Sequence, residues 1–189
     1  QPNDGHRSLA ALEQRGLVFG LITQNVDRLH QRAGQQQVLD LHGRLDQVRC
    51  IECDYQSARS VVQDWLQQKN PWISTEHVIP APDGDADIEL DFNRVKVPEC
   101  PCCGGILKPD VVFFGDAVPK TDVAQGYRWV ENAQAVLVVG TSLMVYSSFR
   151  FVRKAYELGL PVMAINQGKT RGDEFFAVKA DINCVQGLA

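Results

Sequence analysis

Short apolar runs alternate with amphipathic stretches along this chain. Residues 17–22 form a nearly continuous apolar run of strand length, the pattern of a parallel strand covered on both faces. Runs of the same kind occupy 135–139 and 161–165, the first closing on Gly140, Thr141 and Ser142 and the second on Asn166. Residues 8–15 read as a short helix, apolar from 9 to 12, with Arg15 in the last turn and Gly16 as the stop. Residues 147–158 read as a helix closing on Gly159, and 57–68 as another. Buried strands alternating with helices predict an open α/β sheet, in which ligands bind beyond the carboxyl ends of the strands. The polar residues collected there are site candidates, although Thr23, Ser142 or Asn166 taken singly is better explained as a turn or capping residue.

Residues 54–99 interrupt the pattern with the helix at 57–68 and then a loop holding Asn70, Pro71, Pro80, Pro82 and an acidic run at 83–87. The run resembles a calcium loop superficially and fails in detail. Ile88 stands where the sharp turn needs glycine, and Arg94 where a bidentate glutamate is needed. It reads as a solvated loop. The organisation expected is a discontinuous α/β domain over 1–49 and 104–189, with a small module at 50–103 inserted in it.

Composition narrows the function classes. With 189 residues, 44% hydrophobic and 22% charged, the chain has enough apolar material for one sizeable core and a small appendage. The net charge of −4 leaves no basic field to neutralise a phosphate backbone, so nucleic acid is not an expected partner. The longest apolar stretches fall far short of the ~20 residues that span a bilayer, so no membrane segment is expected. Residues 1–6 carry neither a basic nor an apolar targeting region. The six cysteines cluster by pairs and do not form a dispersed disulfide framework, which implies a reducing compartment: the cytoplasm in a bacterium, or the mitochondrial matrix.

Cys50 with Cys53, and Cys100 with Cys103, form two C-x-x-C knuckles. Two thiolates three positions apart in a tight turn can face one ion, and a second such turn completes a tetrahedron, the arrangement of an all-cysteine zinc site. A redox pair does not explain the second knuckle. Four thiolates fill the coordination sphere, so the zinc expected here is structural. Cys102 does not preserve the knuckle spacing and is read as a spare thiol. A nucleic-acid-binding zinc ribbon is the rival, opposed by the acidic charge and the lack of basic and aromatic residues around the knuckles.

Seven segments in order and register resemble the sirtuin family over essentially the whole chain. They are Thr23 to Asp27; Leu41, His42 and Gly43; the two knuckles; Pro109 to Gly115; Gly140 to Leu143; and Ile165 with Asn166. Details at 81–85, 108–116, 145–147 and 150–151 are similar to class II of that family, its mitochondrial branch and bacterial relatives. The resemblance implies a Rossmann-like parallel sheet with an inserted zinc module, and an NAD-dependent protein-lysine deacylase. The acyl group of an acyl-lysine protein substrate would pass to ADP-ribose with release of nicotinamide; ADP-ribosyl transfer is a possible side activity. It implies His42 as general base, a role suited to an imidazole whose ordinary pKa is ~6.5. His6, His30 and His77 are read as structural.

By the same resemblance, Gln24, Asn25, Val26 and Asp27 meet the nicotinamide and its ribose, and Gly140, Thr141 and Ser142 lie beneath the phosphates and ribose. Asn166, Gln167 and Gly168 would face the adenosine ribose and Cys184 the adenine. Val112, Phe113, Phe114 and Gly115 match the strand that pairs with substrate peptide. The Gly-Ala-Gly phosphate loop and the strand that sirtuins carry ahead of this region are not among these residues, nor is any G-x-G-x-x-G. These residues alone are therefore expected to bind NAD weakly. The alternative function is a zinc-stabilised, non-catalytic binding module.

Overall fold

The structure, a computed structural model, describes residues 1–73 and 91–188. His77, Pro80, Pro82, the acidic run at 83–87 and the family-like segment at 81–85 lie outside the described residues. In chain order the elements are α1 (Asp4–Gln14), β1 (Leu21–Thr23), α2 (Leu29–Arg32), β2 (Val38–Asp40), β3 (Gly43–Cys50), β4 (Gln56–Ala58), α3 (Arg59–Lys69), β5 (Leu107–Val111), α4 (Lys120–Glu131), β6 (Val136–Val139), α5 (Tyr146–Glu157), β7 (Val162–Ile165), β8 (Val178–Ala180) and α6 (Cys184–Leu188). They fall into two compact units, Gln1–Arg44 with Val111–Ala189, and Leu45–Asp110. No helix among the described residues is long and apolar enough to cross a membrane.

In the larger unit every named strand pair is parallel. β1 pairs with β2, and β7 lies between β6 and β8, in register Leu137 to Met163 to Val178. Covering β6 and β7 is α5, whose Phe149, Phe151, Val152 and Ala155 are buried with Val138, Val162, Ala164, Leu143 and the fully buried Leu41. Each Val, Leu or Phe side chain among them contributes roughly 1.5–3 kcal/mol when withdrawn from water. Opposite it, α4 packs so closely that a Cβ on Gly126 would stand 2.5 Å from Cε1 of Phe151.

Helix α1 begins four residues earlier than its apolar pattern predicts. Asn3 caps it, accepting from the His6 N–H at 3.1 Å while the His6 ring accepts from the Asn3 N–H. The expected strand at 17–22 is corrected: pairing is confined to β1, and Leu17 and Phe19 are exposed. The Leu17 and Val18 N–H groups turn back to the Leu12 carbonyl, so this stretch closes α1 and is not free to join a sheet.

In the smaller unit β3 pairs antiparallel with β4. Buried Asn70 ends α3 and clips Lys96 to it. Its side-chain amide donates to the Leu66 and Lys96 carbonyls, and its oxygen accepts from the Lys96 N–H at 2.7 Å.

Candidate functional site

The parallel strands of the larger unit deliver sequence-distant loops to their carboxyl ends, and hydrogen bonds join those loops. After β1, the Gln24 amide donates to Thr141 Oγ1 at 2.9 Å, and its oxygen accepts from Ser148 Oγ at 3.0 Å. The loop after β6 is thereby tied to the loop after β1 and to the first turn of α5. After β2, Leu41 is anchored through its N–H to the Thr23 carbonyl, and the next residue, His42, places Nε2 2.7 Å from Ser147 Oγ. Ser147 and Ser148 are both buried.

The His42 ring is half-buried, and burial holds its pKa below the ordinary histidine value; a hydrogen bond to the Gln24 backbone works the other way. A neutral ring that donates to Gln24 through one nitrogen leaves Nε2 as the acceptor for the Ser147 hydroxyl. The imidazole is thus fixed in orientation and kept in its basic form at neutral pH.

Of the remaining candidates in these loops, Asn25 is exposed and its N–H donates to Thr23 Oγ1, while Val26 is half-buried. Asp27 is exposed and accepts from the Leu29 N–H at the start of α2. Gly140 has a positive φ of 59°, and a Cβ there would meet Cys184 Sγ at 3.5 Å, so these two residues are neighbours. Leu143 is a buried non-glycine residue at φ 57°, held by its N–H to Thr141 Oγ1, while the Ser142 carbonyl accepts from the Arg171 N–H. Asn166 is buried at the end of β7, where its amide turns onto the Gln167 carbonyl; Gly168, at φ 75°, donates to Asp181.

Residues 112–115 form no strand. β5 ends at Val111, the Val112 N–H donates to the His42 carbonyl, and a turn carries Phe114 fully exposed to Gly115 at φ 96°. The Asp116 carboxylate accepts from the Phe113 N–H, which gives the turn its local partner in place of a neighbouring strand. Sequence reasoning missed Ser147 and Ser148 as site residues, because small polar residues in a first helical turn look like caps.

His6 and His30, read as structural, lie with ring centroids 4.7 Å apart and planes inclined at 50°. Burial holds both below the ordinary histidine range, with the nearby Asp27 carboxylate pulling the other way.

In the smaller unit the sulfurs of Cys50, Cys53, Cys100 and Cys103 lie within 4.8 Å of one another. Contacts of 3.5–3.6 Å link Cys50 to Cys103, Cys53 to Cys100 and Cys103 to Cys53. Ligands at about 2.3 Å on the corners of a tetrahedron stand about 3.8 Å apart, so the cluster fits one zinc ion. Glu52 and Gly105 aim backbone N–H groups at the Cys50 and Cys103 sulfurs, both at 3.4 Å, and Gly104 makes the second knuckle's turn at φ 75°. Burial opposes ionisation of Cys100, yet N–H donors from Cys102 and Cys103 bring it to about 7. The Gly105 N–H favours the Cys103 thiolate, but the Cys53 and Cys50 sulfurs push it up to about 12. Cys102 is exposed and outside the cluster.

Comparison with known proteins gives a consistent result. The family model described as Sir2 family matches residues 1–147. An NAD-dependent protein deacetylase of Bordetella bronchiseptica is 55% identical over all of this chain and 69% of its own length, and one of Xanthomonas axonopodis pv. citri is 53% identical over all of this chain and 65% of its own. The chain therefore spans about two thirds of these relatives. Among solved structures, a complex described as Sir2, p53 peptide and NAD+ superimposes over the whole chain and 68% of its own, with a TM-score of 0.79 and 28% identity. A Sir2 bound to acetylated peptide has the same TM-score and identity over 99% of this chain and 68% of its own.

Proposed function

The chain belongs to the Sir2 family, and from that premise we propose that it is the greater part of an NAD-dependent protein deacetylase acting on acyl-lysine proteins. The carrying observation is the hydrogen-bonded convergence of Gln24, His42, Thr141, Ser147 and Ser148 at the carboxyl ends of the parallel strands. When bound, NAD supplies the electrophilic ribose carbon that takes the acyl oxygen as nicotinamide leaves, so that the acyl group ends on ADP-ribose.

His42 is the general base in this reading, accepting a proton from the ribose hydroxyls at Nε2. Its depressed pKa keeps the ring neutral and basic at neutral pH, and the Ser147 hydroxyl that occupies the Nε2 lone pair in the free protein gives up that acceptor to the ribose hydroxyl when NAD binds. Gln24, held at both ends of its amide, presents a fixed hydrogen-bonding edge to the nicotinamide side, with Asn25, Val26 and Asp27 completing that loop. Gly140, Thr141 and Ser142 serve the phosphates and ribose, and Gly140 supplies the positive φ at which the loop turns. Asn166, Gln167 and Gly168 serve the adenosine ribose and Cys184 the adenine. The turn at Val112, Phe113, Phe114 and Gly115, exposed over its last three residues, meets the substrate peptide in this reading.

Zinc on Cys50, Cys53, Cys100 and Cys103 is structural and holds the smaller unit together. The free thiols Cys102 and Cys184 suit a reducing compartment, and the bacterial relatives favour the cytoplasm. The test uses the protein at the length of its relatives. Nicotinamide release should require NAD and an acetyl-lysine peptide together. Release at the same rate without peptide, or undiminished acyl transfer by His42→Ala, overturns the proposal.

A further inference from the structure

On the far side of the α5 core face, α4 and α5 enclose an open cavity of about 340 Å³. Tyr146, Arg150, Arg153, Lys154 and Glu157 follow one another at helical spacing along α5 and line it, and Glu131 closes it from α4. Two of its three cations are neutralised. Lys154 Nζ lies 3.3 Å from Glu131, and Arg153 Nη2 lies 3.4 Å from Glu157.

Arg150 has no carboxylate partner among the described residues. Its guanidinium stands 5.2 Å over the Tyr146 ring, and its Nε is buried without a hydrogen-bond acceptor among them. That Nε is sealed from the cavity, so a molecule bound there would meet the two Nη groups of Arg150, which carry no hydrogen bond or ion pair among the described residues. Three cations against two carboxylates also leave the lining net positive.

We propose that this cavity is a binding site for a small phosphate-type oxyanion, an inorganic phosphate or a phosphate monoester, anchored by Arg150. The planar guanidinium presents paired donors that match two oxygens of a tetrahedral anion. Tyr146 keeps the guanidinium plane in place, and Arg153 and Lys154 screen the remaining charge from the two glutamates. A monovalent spherical anion such as chloride gains little from this fork. The site is independent of the deacetylase reading, since Arg150, Lys154 and Glu131 have no part in that chemistry.

The experiment is a titration of the full-length protein with inorganic phosphate, against sodium chloride of equal ionic strength. The arginine Nε–H resonances are followed by NMR and the heat by calorimetry. The Arg150 resonance should shift saturably with phosphate and not with chloride, and Arg150→Gln should lower the phosphate affinity about tenfold or more. Glu131→Gln, which removes a negative wall charge and frees Lys154, should raise the affinity about threefold. This second variant decides the matter if Arg150→Gln fails to fold. A resonance that moves alike in phosphate and chloride, a phosphate affinity unchanged in Arg150→Gln, or one unchanged in Glu131→Gln overturns the proposal. A parallel titration with glucose 6-phosphate distinguishes a site for phosphate esters, which should bind at least as tightly as phosphate, from one for the free ion.

Discussion

Replacing Gly126 by alanine should destabilise the larger unit, although helix propensity points the opposite way. In the interior of a helix, alanine is better than glycine by about 0.8–1.0 kcal/mol. The new methyl would, however, sit 2.5 Å from Cε1 and 2.6 Å from Cζ of Phe151, against an optimal carbon–carbon separation of about 3.5–4.0 Å. The overlap is thus about 1 Å on two atoms of a rigid ring. Phe151 has no easy escape, because it is 5% exposed and its ring is flanked edge-on by Tyr127 at 5.4 Å. Relief requires α4 and α5 to separate or the ring to leave its rotamer, an overpacking penalty of about 1–3 kcal/mol. The net expectation is a loss of up to about 2 kcal/mol, or a melting temperature lower by up to roughly 8 °C at about 2–4 °C per kcal/mol. Urea unfolding of the wild type, Gly126→Ala, Phe151→Leu and the double variant measures it. In the Phe151→Leu background the alanine should become neutral or stabilising, which gives a coupling energy of about 1–3 kcal/mol. A Gly126→Ala protein as stable as the wild type, with no coupling to position 151, refutes the packing argument.

Further expectations concern the metal, the base and pH. Cys50→Ser should lose zinc and destabilise the smaller unit, whereas Cys102→Ser should retain one zinc per chain; elemental analysis of both variants checks this, and the reverse pattern would sink the assignment. His42→Ala should lower acyl transfer by about 10²–10⁴-fold with zinc content unchanged. Ser147→Ala should lower it less and also move the pH profile, since the hydroxyl sets which state of the ring is held. The acid limb of kcat/KM should fall below the ordinary histidine value of 6.5, because burial disfavours the charged ring; a midpoint above 6.5 contradicts the assignment. His6, His30 and His42 are all held low in the folded chain, so the unfolded chain takes up protons first. Their contribution to stability is complete above about pH 6.5 and is lost as pH falls from there through the folded values. Melting curves recorded from pH 7.5 down to 5 read that decline, and a rise in stability over the same range would contradict it.

The strands β6 and β7 and the helix α5 were legible from their apolar runs, but the expected cover on both faces of the strands holds for one only: Val138, Val162 and Ala164 lie in the core, whereas Leu137 and Met163 are exposed. The stretch at 17–22 has the same composition and a different fate, since its backbone donors are claimed by the end of α1; composition carries no record of that competition. β2 and α2 escaped notice as elements of three and four residues, too short for any periodicity to accumulate. In the candidate site, the knuckles announce themselves by spacing alone. His42, by contrast, stood out only through the resemblance of its neighbours, and Ser147 not at all. What singles them out is a contact between residues 105 positions apart, a property of tertiary structure that no local pattern encodes.

Leu143 combines two properties that seldom coincide: its side chain is buried in the core, and its backbone occupies the left-handed region. The apolar anchor sustains a conformation that a β-carbon resists, and the segment from Gly140 to Ser142 inherits the resulting rigidity. Any guest of that segment meets walls already standing, so little of its association entropy goes into ordering the chain. Substituting glycine at 143 would relax the backbone while releasing the anchor. The free protein would gain more freedom there than the liganded one, and affinity would drop through slackness even though no direct contact had been removed.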